Sequence, residues 1–333
     1  METKIISIIN QKGGVGKTTT TANLAYALAQ NGYKVLAIDY DSQASLTNCL
    51  NVGLVENTTY YSIYEMMLKE LRGEIDPEDD PFLASCTFEE LCNACICRPT
   101  FRKTVIQKVD GENKPAEVEE EFGFDLLPSH IALADYELEA TSSNEQNIGF
   151  RLHNVICEIL NIRKYDFILI DCPPSLGIMS MNAIAAAKDG IIIPTNLDLM
   201  STRGVENLIE KIADIQEMLL NFNVIHMGII GVLLNLYSER RIIDNSIKNN
   251  LERFYPIRTF KTTIPESTAA KKAVWIGRTY YQINKKAKTA YDNLVKELIE
   301  VLKIRETEGQ QILRIELDAN GKVGETEGEV DEQ

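Results

Sequence analysis

Apolar residues gather in near-continuous runs, rather than alternating with polar ones, at five places: Ile5-Ile6-Ser7-Ile8-Ile9, Val35-Leu36-Ala37-Ile38, Phe167-Ile168-Leu169-Ile170, Gly190-Ile191-Ile192-Ile193-Pro194 and Gly228-Ile229-Ile230-Gly231-Val232-Leu233-Leu234-Asn235. Such runs read as strands of the buried, parallel-sheet type, because a strand with one wet face alternates. After the first run the period changes, and from Thr19 the positions Leu24, Ala25, Leu28 and Ala29 mark an amphipathic helix. The chain is therefore read as α/β, a mostly parallel twisted β-sheet with helices on both faces. A different pattern flanks Asp110-Gly111-Glu112-Asn113-Lys114-Pro115, where Thr104 to Val109 and Ala116 to Glu121 predict a hairpin.

Between the first strand and the first helix lie Gln11-Lys12-Gly13-Gly14-Val15-Gly16-Lys17-Thr18-Thr19. The glycines let backbone N–H groups converge on phosphate oxygens where a side chain would block them, and the helix start adds unpaired donors and a favourable dipole. Lys17 brings a point charge to the β- and γ-phosphates of a nucleotide, and the Thr18 hydroxyl is placed to ligate Mg²⁺. The second run ends in the paired acids of Asp39-Tyr40-Asp41-Ser42-Gln43; the third brings Asp171 to its carboxyl end and is stopped at once by Pro173-Pro174. A carboxylate there can hold a water of the Mg²⁺ shell. Paired acids are also ordinary turn chemistry, and Asn235 reads equally as a strand-ending turn residue.

Taken together, Lys12 to Thr19 resemble the deviant Walker A pattern, Lys-Gly-Gly-x-Gly-Lys-Thr-Thr, of the ParA/MinD family of dimerising P-loop ATPases. Asp39 to Gln43 resembles the family's Asp-x-Asp-Pro-Gln segment, with Ser42 in place of proline, and Tyr165 to Gly177 resembles its Walker B segment, with Asp171 as the aspartate. Leu127-Pro128-Ser129 and Gly231-Val232-Leu233-Leu234 are similar to the ParA-type partition branch, and the resemblance runs from Lys4 to about Leu302 with one interruption. It implies ATP as substrate and Mg²⁺ as cofactor. The implied nucleotide contacts are Lys12, Gly13, Gly14, Val15, Gly16, Lys17, Thr18 and Thr19, with Asn235 on adenine and Pro265, of Thr263-Ile264-Pro265, closing over the base. Lys12 would reach across a homodimer to the partner's phosphates, Asp41 would orient the attacking water, and Thr18, Asp39 and Asp171 would serve the metal. The implied biology is an ATP-dependent homodimer that binds DNA nonspecifically, hydrolyses slowly until a ParB-like centromere-binding protein stimulates it, and partitions a plasmid or chromosome locus. No helix-turn-helix extension precedes the first strand, so operator-specific binding is not expected.

Charge is distributed unevenly over the 333 residues, whose net charge is −15. Functional residues spread from Gly13 to Pro265, so one ATPase domain is expected over 1–305, with an acidic insertion at about 61–125 and a largely disordered tail at 306–333. The insertion carries 16 acidic against 7 basic residues and reads as a surface excursion or a partner-docking surface; the tail carries 9 acids against 2 bases. Residues 231–290 hold 12 Lys/Arg against 4 Asp/Glu, which suits contact with DNA phosphates. Arg240 falls where the family has a DNA-contacting arginine. Glu266, Ser267, Thr268 and Ala269 replace the usual basic residues after Ile-Pro, and Lys271, Lys272, Arg278, Lys285 and Lys286 could supply the footprint instead.

Seven cysteines read as reduced thiols, and Cys86, Cys92, Cys95 and Cys97 lack the paired spacing of zinc modules. No signal peptide or 18-residue apolar run is present, so the cytoplasm is the expected compartment, and the ParA resemblance implies nucleoid association without membrane contact. A MinD-like membrane switch would end in a basic amphipathic helix rather than an acidic tail. Positioning of a non-DNA cargo, or a metabolic or metal-delivery ATPase of the same fold, are the alternatives.

Overall fold

The elements of the computed structural model alternate as the apolar runs predict. They begin β1 (Lys4–Ile8), α1 (Lys17–Gln30), β2 (Val35–Asp39), α2 (Ser45–Cys49), α3 (Ile63–Arg72), α4 (Pro81–Ser85), α5 (Phe88–Cys95), β3 (Thr100–Val109), β4 (Glu112–Glu121), β5 (Asp125–Leu127) and α6 (Leu133–Ser142). They continue α7 (Arg151–Ile162), β6 (Phe167–Asp171), α8 (Ile178–Ala186), β7 (Gly190–Asn196), α9 (Leu199–Asn221), β8 (Ile229–Tyr237), β9 (Thr259–Pro265), α10 (Thr268–Trp275), α11 (Tyr280–Ile283) and α12 (Lys285–Thr307). The structure describes residues 2–52, 61–109, 112–142, 148–196, 199–221, 228–238, 241, 245, 259–307, 316–317 and 323–324. Of the acidic tail that leaves Glu306 and Thr307, which end α12, and Glu316–Leu317 paired antiparallel with Val323–Gly324; the rest of the tail lies outside the described residues.

Seven strands form one sheet in the order β5-β2-β6-β1-β7-β8-β9, and every neighbouring pair is parallel. The sheet is covered on both faces, which is why its strands read as unbroken apolar runs. Alternate residues of a single strand enter different cores. Ile5, Ile9, Ile168 and Ile170 pack with Met66, Leu91, Val155 and Ile184 from α3, α5, α7 and α8. Ile6, Ile8, Phe167 and Leu169 pack with Leu24, Leu28, Leu294 and Leu298 from α1 and α12.

Residues 61–125 divide into two parts with different physics. The helical part is core, not excursion: Ser62 with Glu65 and Thr87 with Glu90 close capping boxes that start α3 and α5, and Ile63, Met66, Met67, Leu83, Leu91, Cys92 and Cys95 are buried beneath. Lys69 donates from Nζ to the carbonyls of Leu83 and Cys86, both at 2.8 Å, and so holds the end of α4 against α3. Burial pushes the thiols of Cys92 and Cys97 up to about 11, and among the described residues no cluster of three His, Cys, Asp or Glu side chains is arranged to hold a metal.

The second part is the hairpin, whose ten paired positions run from Thr100↔Glu121 to Val109↔Glu112. Phe101, Phe122 and Phe124 anchor its base, with the Phe101 and Phe122 rings 4.9 Å apart and Tyr26 of α1 set edge-on to Phe122 at 6.1 Å. Beyond that base Ile106 is 68% exposed, while Val105 and Val118 are half-buried.

This division gives a stability contrast. Leu91→Ala should cost about 2–5 kcal/mol, the range for a fully buried leucine, whereas Ile106→Ser should stay within about 0.5 kcal/mol of the parent. Urea unfolding of the two variants decides it, and equal losses would show that the helical part is not core.

Candidate functional site

The phosphate loop leaves the carboxyl end of β1, in the middle of the sheet, where the chain has turned to β2 on one side and later to β7 on the other. In open parallel sheets this reversal opens the crevice that receives ligands. Asn10 fixes the start of the loop: its Oδ1 accepts from the Lys12 N–H at 2.9 Å, and its Nδ2 donates to the Pro194 carbonyl on β7 at 2.8 Å. Gly14 and Gly16 take φ of 75° and 89°, left-handed values that a side chain would strain. A Cβ placed on either Gly13 or Gly14 meets nothing within 4 Å, so the loop's outer side is open space.

α1 starts directly after Gly16 without a side-chain cap, so its first N–H groups face the crevice. Lys17 is 8% exposed, and its ammonium donates to the Lys12 carbonyl at 3.2 Å. Burial lowers the pKa of Lys17, and the carboxylates of Asp171 and Asp41 oppose that shift. Lys12 itself is half-buried on the loop.

Two acids, Asp171 and Asp39, meet beneath the loop. Asp171 ends β6 in register with Ile8 of β1 on one side and Asp39 of β2 on the other. Its two oxygens accept from Thr18 Oγ1 at 2.7 Å and Thr21 Oγ1 at 3.1 Å. Burial, and then the adjacent Asp39, push the Asp171 carboxyl up to about 8. Burial likewise raises Asp39 to about 6, although its Oδ2 accepts from both the N–H and the hydroxyl of Thr47, at 2.8 and 2.7 Å. Thr47 in turn accepts from the Ser129 N–H at 2.9 Å. Asp41 stands outside this pair, half-buried, with Oδ1 accepting from the Gln43 N–H at 3.0 Å in an Asx turn.

Two buried carboxylates therefore face one buried ammonium, an imbalance that the raised carboxyl pKa values express. A divalent cation fits this donor set, because it would find hard oxygen ligands at Thr18 and, directly or through water, at Asp171 and Asp39, and would return both acids to their ionised forms.

The structure also assigns roles that the sequence did not show. Thr21 and Thr47 are hydroxyl partners of the two buried acids. A run of four threonines at 18–21 was the signal for the first; nothing in the sequence marked the second. Glu137 on α6 brings an oxygen within 3.1 Å of where a Cβ on Gly177 would stand, and burial together with Asp41 raises its pKa. Asn235 turns its amide onto the phosphate loop: Nδ2 donates to the Val15 carbonyl at 2.9 Å and to Thr20 Oγ1 at 3.0 Å. It lies so close to Gly16 that a Cβ there would be 2.8 Å from Nδ2. Its Oδ1 is buried without a partner among the described residues, which leaves an acceptor for a donor such as an exocyclic amine. Pro265 ends the neighbouring strand opposite Tyr237.

The expected DNA contacts are dispersed. Lys271 and Lys272 are exposed on α10. Arg278 is tied back to the hairpin, donating to the Arg102 carbonyl at 2.8 Å and lying 5.2 Å over the Phe101 ring. Arg240 lies outside the described residues.

Comparison with known proteins agrees with this geometry. A family model described as an AAA domain matches residues 3–225. The sporulation initiation inhibitor protein Soj of Bacillus subtilis is 27% identical over 297 residues, covering 89% of this chain and 98% of Soj. The chromosome partitioning protein ParA of Caulobacter vibrioides is 26% identical over 298 residues, covering 89% and 94% of the two chains. Among solved structures, cobyrinic acid a,c-diamide synthase from Mycobacterium smegmatis with bound ADP and magnesium superposes with a TM-score of 0.65 at 23% identity, covering 93% of this chain and 98% of that one. A loop with two lysines, a buried Walker B carboxylate and relatives matched over nearly their full length together place this chain in the ParA/MinD family of P-loop ATPases.

Proposed function

We propose that the protein is an ATP-driven switch that dimerises on ATP, binds DNA nonspecifically in that state and partitions or positions a plasmid or chromosome locus, with a ParB-like partner stimulating hydrolysis. One observation carries this reading: a second lysine, Lys12, on a phosphate loop already served by a buried Lys17 that donates to the Lys12 carbonyl. A single nucleotide needs one such cation, so the second suits the nucleotide of a second subunit. The relatives named for chromosome partitioning support the DNA arm of the reading.

In this mechanism the loop N–H groups and Lys17 cradle the phosphates, and Lys12 of each subunit stabilises the partner's nucleotide. Mg²⁺, when bound, screens charge on the phosphate oxygens; Thr18, Asp39 and Asp171 would hold it. Asp41, two residues beyond the carboxyl end of β2, orients the attacking water in line with the γ-phosphate. Asn235 braces the loop through its amide nitrogen, and its buried carbonyl oxygen, without a partner among the described residues, takes the amino group of adenine beside Pro265. When the γ-phosphate leaves, Lys12 loses its partner across the interface and the subunits part.

The direct test is binding to an arbitrary duplex with ATP, with ADP and without nucleotide, at two salt concentrations. ATP-selective, salt-sensitive binding is expected; no binding in any state, with the dimer confirmed, would favour a ParA-like ATPase for another cargo or a metabolic enzyme of this fold. Lys12→Ala should leave ATP on monomers but abolish the ATP-dependent dimer in sedimentation, and a persisting dimer would refute the cross-subunit role. Asp41→Ala should hold the dimer in its ATP state, with phosphate release at least about a hundredfold slower. Normal release by that variant would mean that the water is held elsewhere.

A further inference from the structure

The last turn of α10 leaves three successive large apolar residues in solvent: Val274 is 47%, Trp275 90% and Ile276 42% exposed. Scattered exposed apolar groups are ordinary, but three together, including the chain's single tryptophan, form a patch. Lys271 and Lys272 precede Trp275 by four and three positions and therefore share its face of the helix; neither joins an ion pair among the described residues. From Ser267 to Tyr291 the chain holds six Lys/Arg and no Asp or Glu.

The patch is displayed rigidly. Ser267 caps α10 by accepting from the Ala269 N–H at 3.1 Å, and Ala269, Ala270 and Ala273 pack its inner face into the core. The turn after it is closed by the Arg278 N–H on the Ala273 carbonyl at 2.9 Å. On the inner side Gly277 lies against Asn51, so close that a Cβ there would stand 1.6 Å from the Asn51 amide nitrogen. An apolar tip held this firmly beside two exposed lysines is complementary to a polyanion that also offers apolar surface. Duplex DNA does so, through phosphates flanking base steps that apolar side chains can wedge apart. A lipid surface fits less well, because an interfacial helix carries its apolar stripe along its length, whereas α10 is apolar outward only at its tip.

We propose that Val274, Trp275 and Ile276 form an apolar wedge that enters a groove of duplex DNA while Lys271 and Lys272 neutralise the flanking phosphates. The proposal rests on the DNA-binding reading above and adds to it a contact that salt does not screen. It separates two contributions that an all-electrostatic footprint would merge. The lysines set the salt dependence, and the wedge sets an increment of affinity common to all salt concentrations.

Trp275 reports on its own site, because no other tryptophan contributes to the fluorescence. With ATP and the full chain, titrating an arbitrary duplex should quench this emission as bases stack on the indole. Trp275→Ala should weaken DNA binding roughly tenfold or more at every salt concentration, leaving the slope of log affinity against log salt, the ATPase rate and the ATP-dependent dimer unchanged. Trp275→Phe should recover part of the loss. The Lys271→Ala/Lys272→Ala variant should instead flatten the slope by about 1 per lysine. Equal affinity of Trp275→Ala and the parent would overturn the wedge while leaving DNA binding intact. Emission that shifts to the blue with anionic phosphatidylglycerol vesicles and does not respond to DNA would assign the patch to lipid. Failure of the parent ATP dimer to bind any duplex would remove the DNA reading itself, and the wedge with it.

Discussion

Around Asp171 a carboxylate is fully enclosed at the carboxyl end of a central strand, next to a second enclosed carboxylate on β2 and, among the described residues, within reach of one buried ammonium, that of Lys17. An enclosed anion is expensive unless hydrogen bonds or cations compensate it, and much of the local architecture supplies that compensation. Thr18 and Thr21 donate from α1, which fixes that helix against β6. Thr47 donates twice to Asp39 and so holds α2 beneath β2, and Ser129 closes the chain of donors from the loop after β5. What remains uncompensated is negative charge, which a divalent cation would balance.

The same constraint explains why the crevice is stiff on one side and open on the other. Asn10 and Asn235 clamp the phosphate loop to β7 and β8 through buried amides, while the outer glycines meet only open space. Preorganised donors need no rearrangement when a phosphate arrives, which is the condition under which they stabilise transferred charge most. Asp41 is placed differently, half-buried on a turn of its own hydrogen bonds outside the enclosed pair.

Much of this was legible in the residues. Apolar runs without alternation gave the parallel sheet because both faces of each strand are covered, and the loop glycines and lysines carried the nucleotide chemistry in a contiguous segment. Legibility failed where function depends on contacts between distant segments. Nothing local distinguishes Thr47 as the partner of Asp39, or marks Asn235 as a brace for Val15 some two hundred positions away. The acidic count over 61–125 obscured a helical half that belongs to the core, because net charge reports the wet face of an amphipathic helix and is silent about the apolar face beneath. Arg278 shows the reverse error, a cation in a basic segment that is engaged by a backbone carbonyl and an aromatic ring of the hairpin.

The hairpin has a practical side. Its two strands leave from and return to one aromatic cluster, and ten paired positions carry the far end about 30 Å from that base at the usual rise of a strand. Nothing in the phosphate loop or the buried acid pair draws on its outer half. A fluorescent domain or affinity handle spliced between Val109 and Glu112 would therefore ride on a stiff stalk joined to the body through Phe101 and Phe122, giving a labelled protein whose nucleotide crevice is built as in the parent.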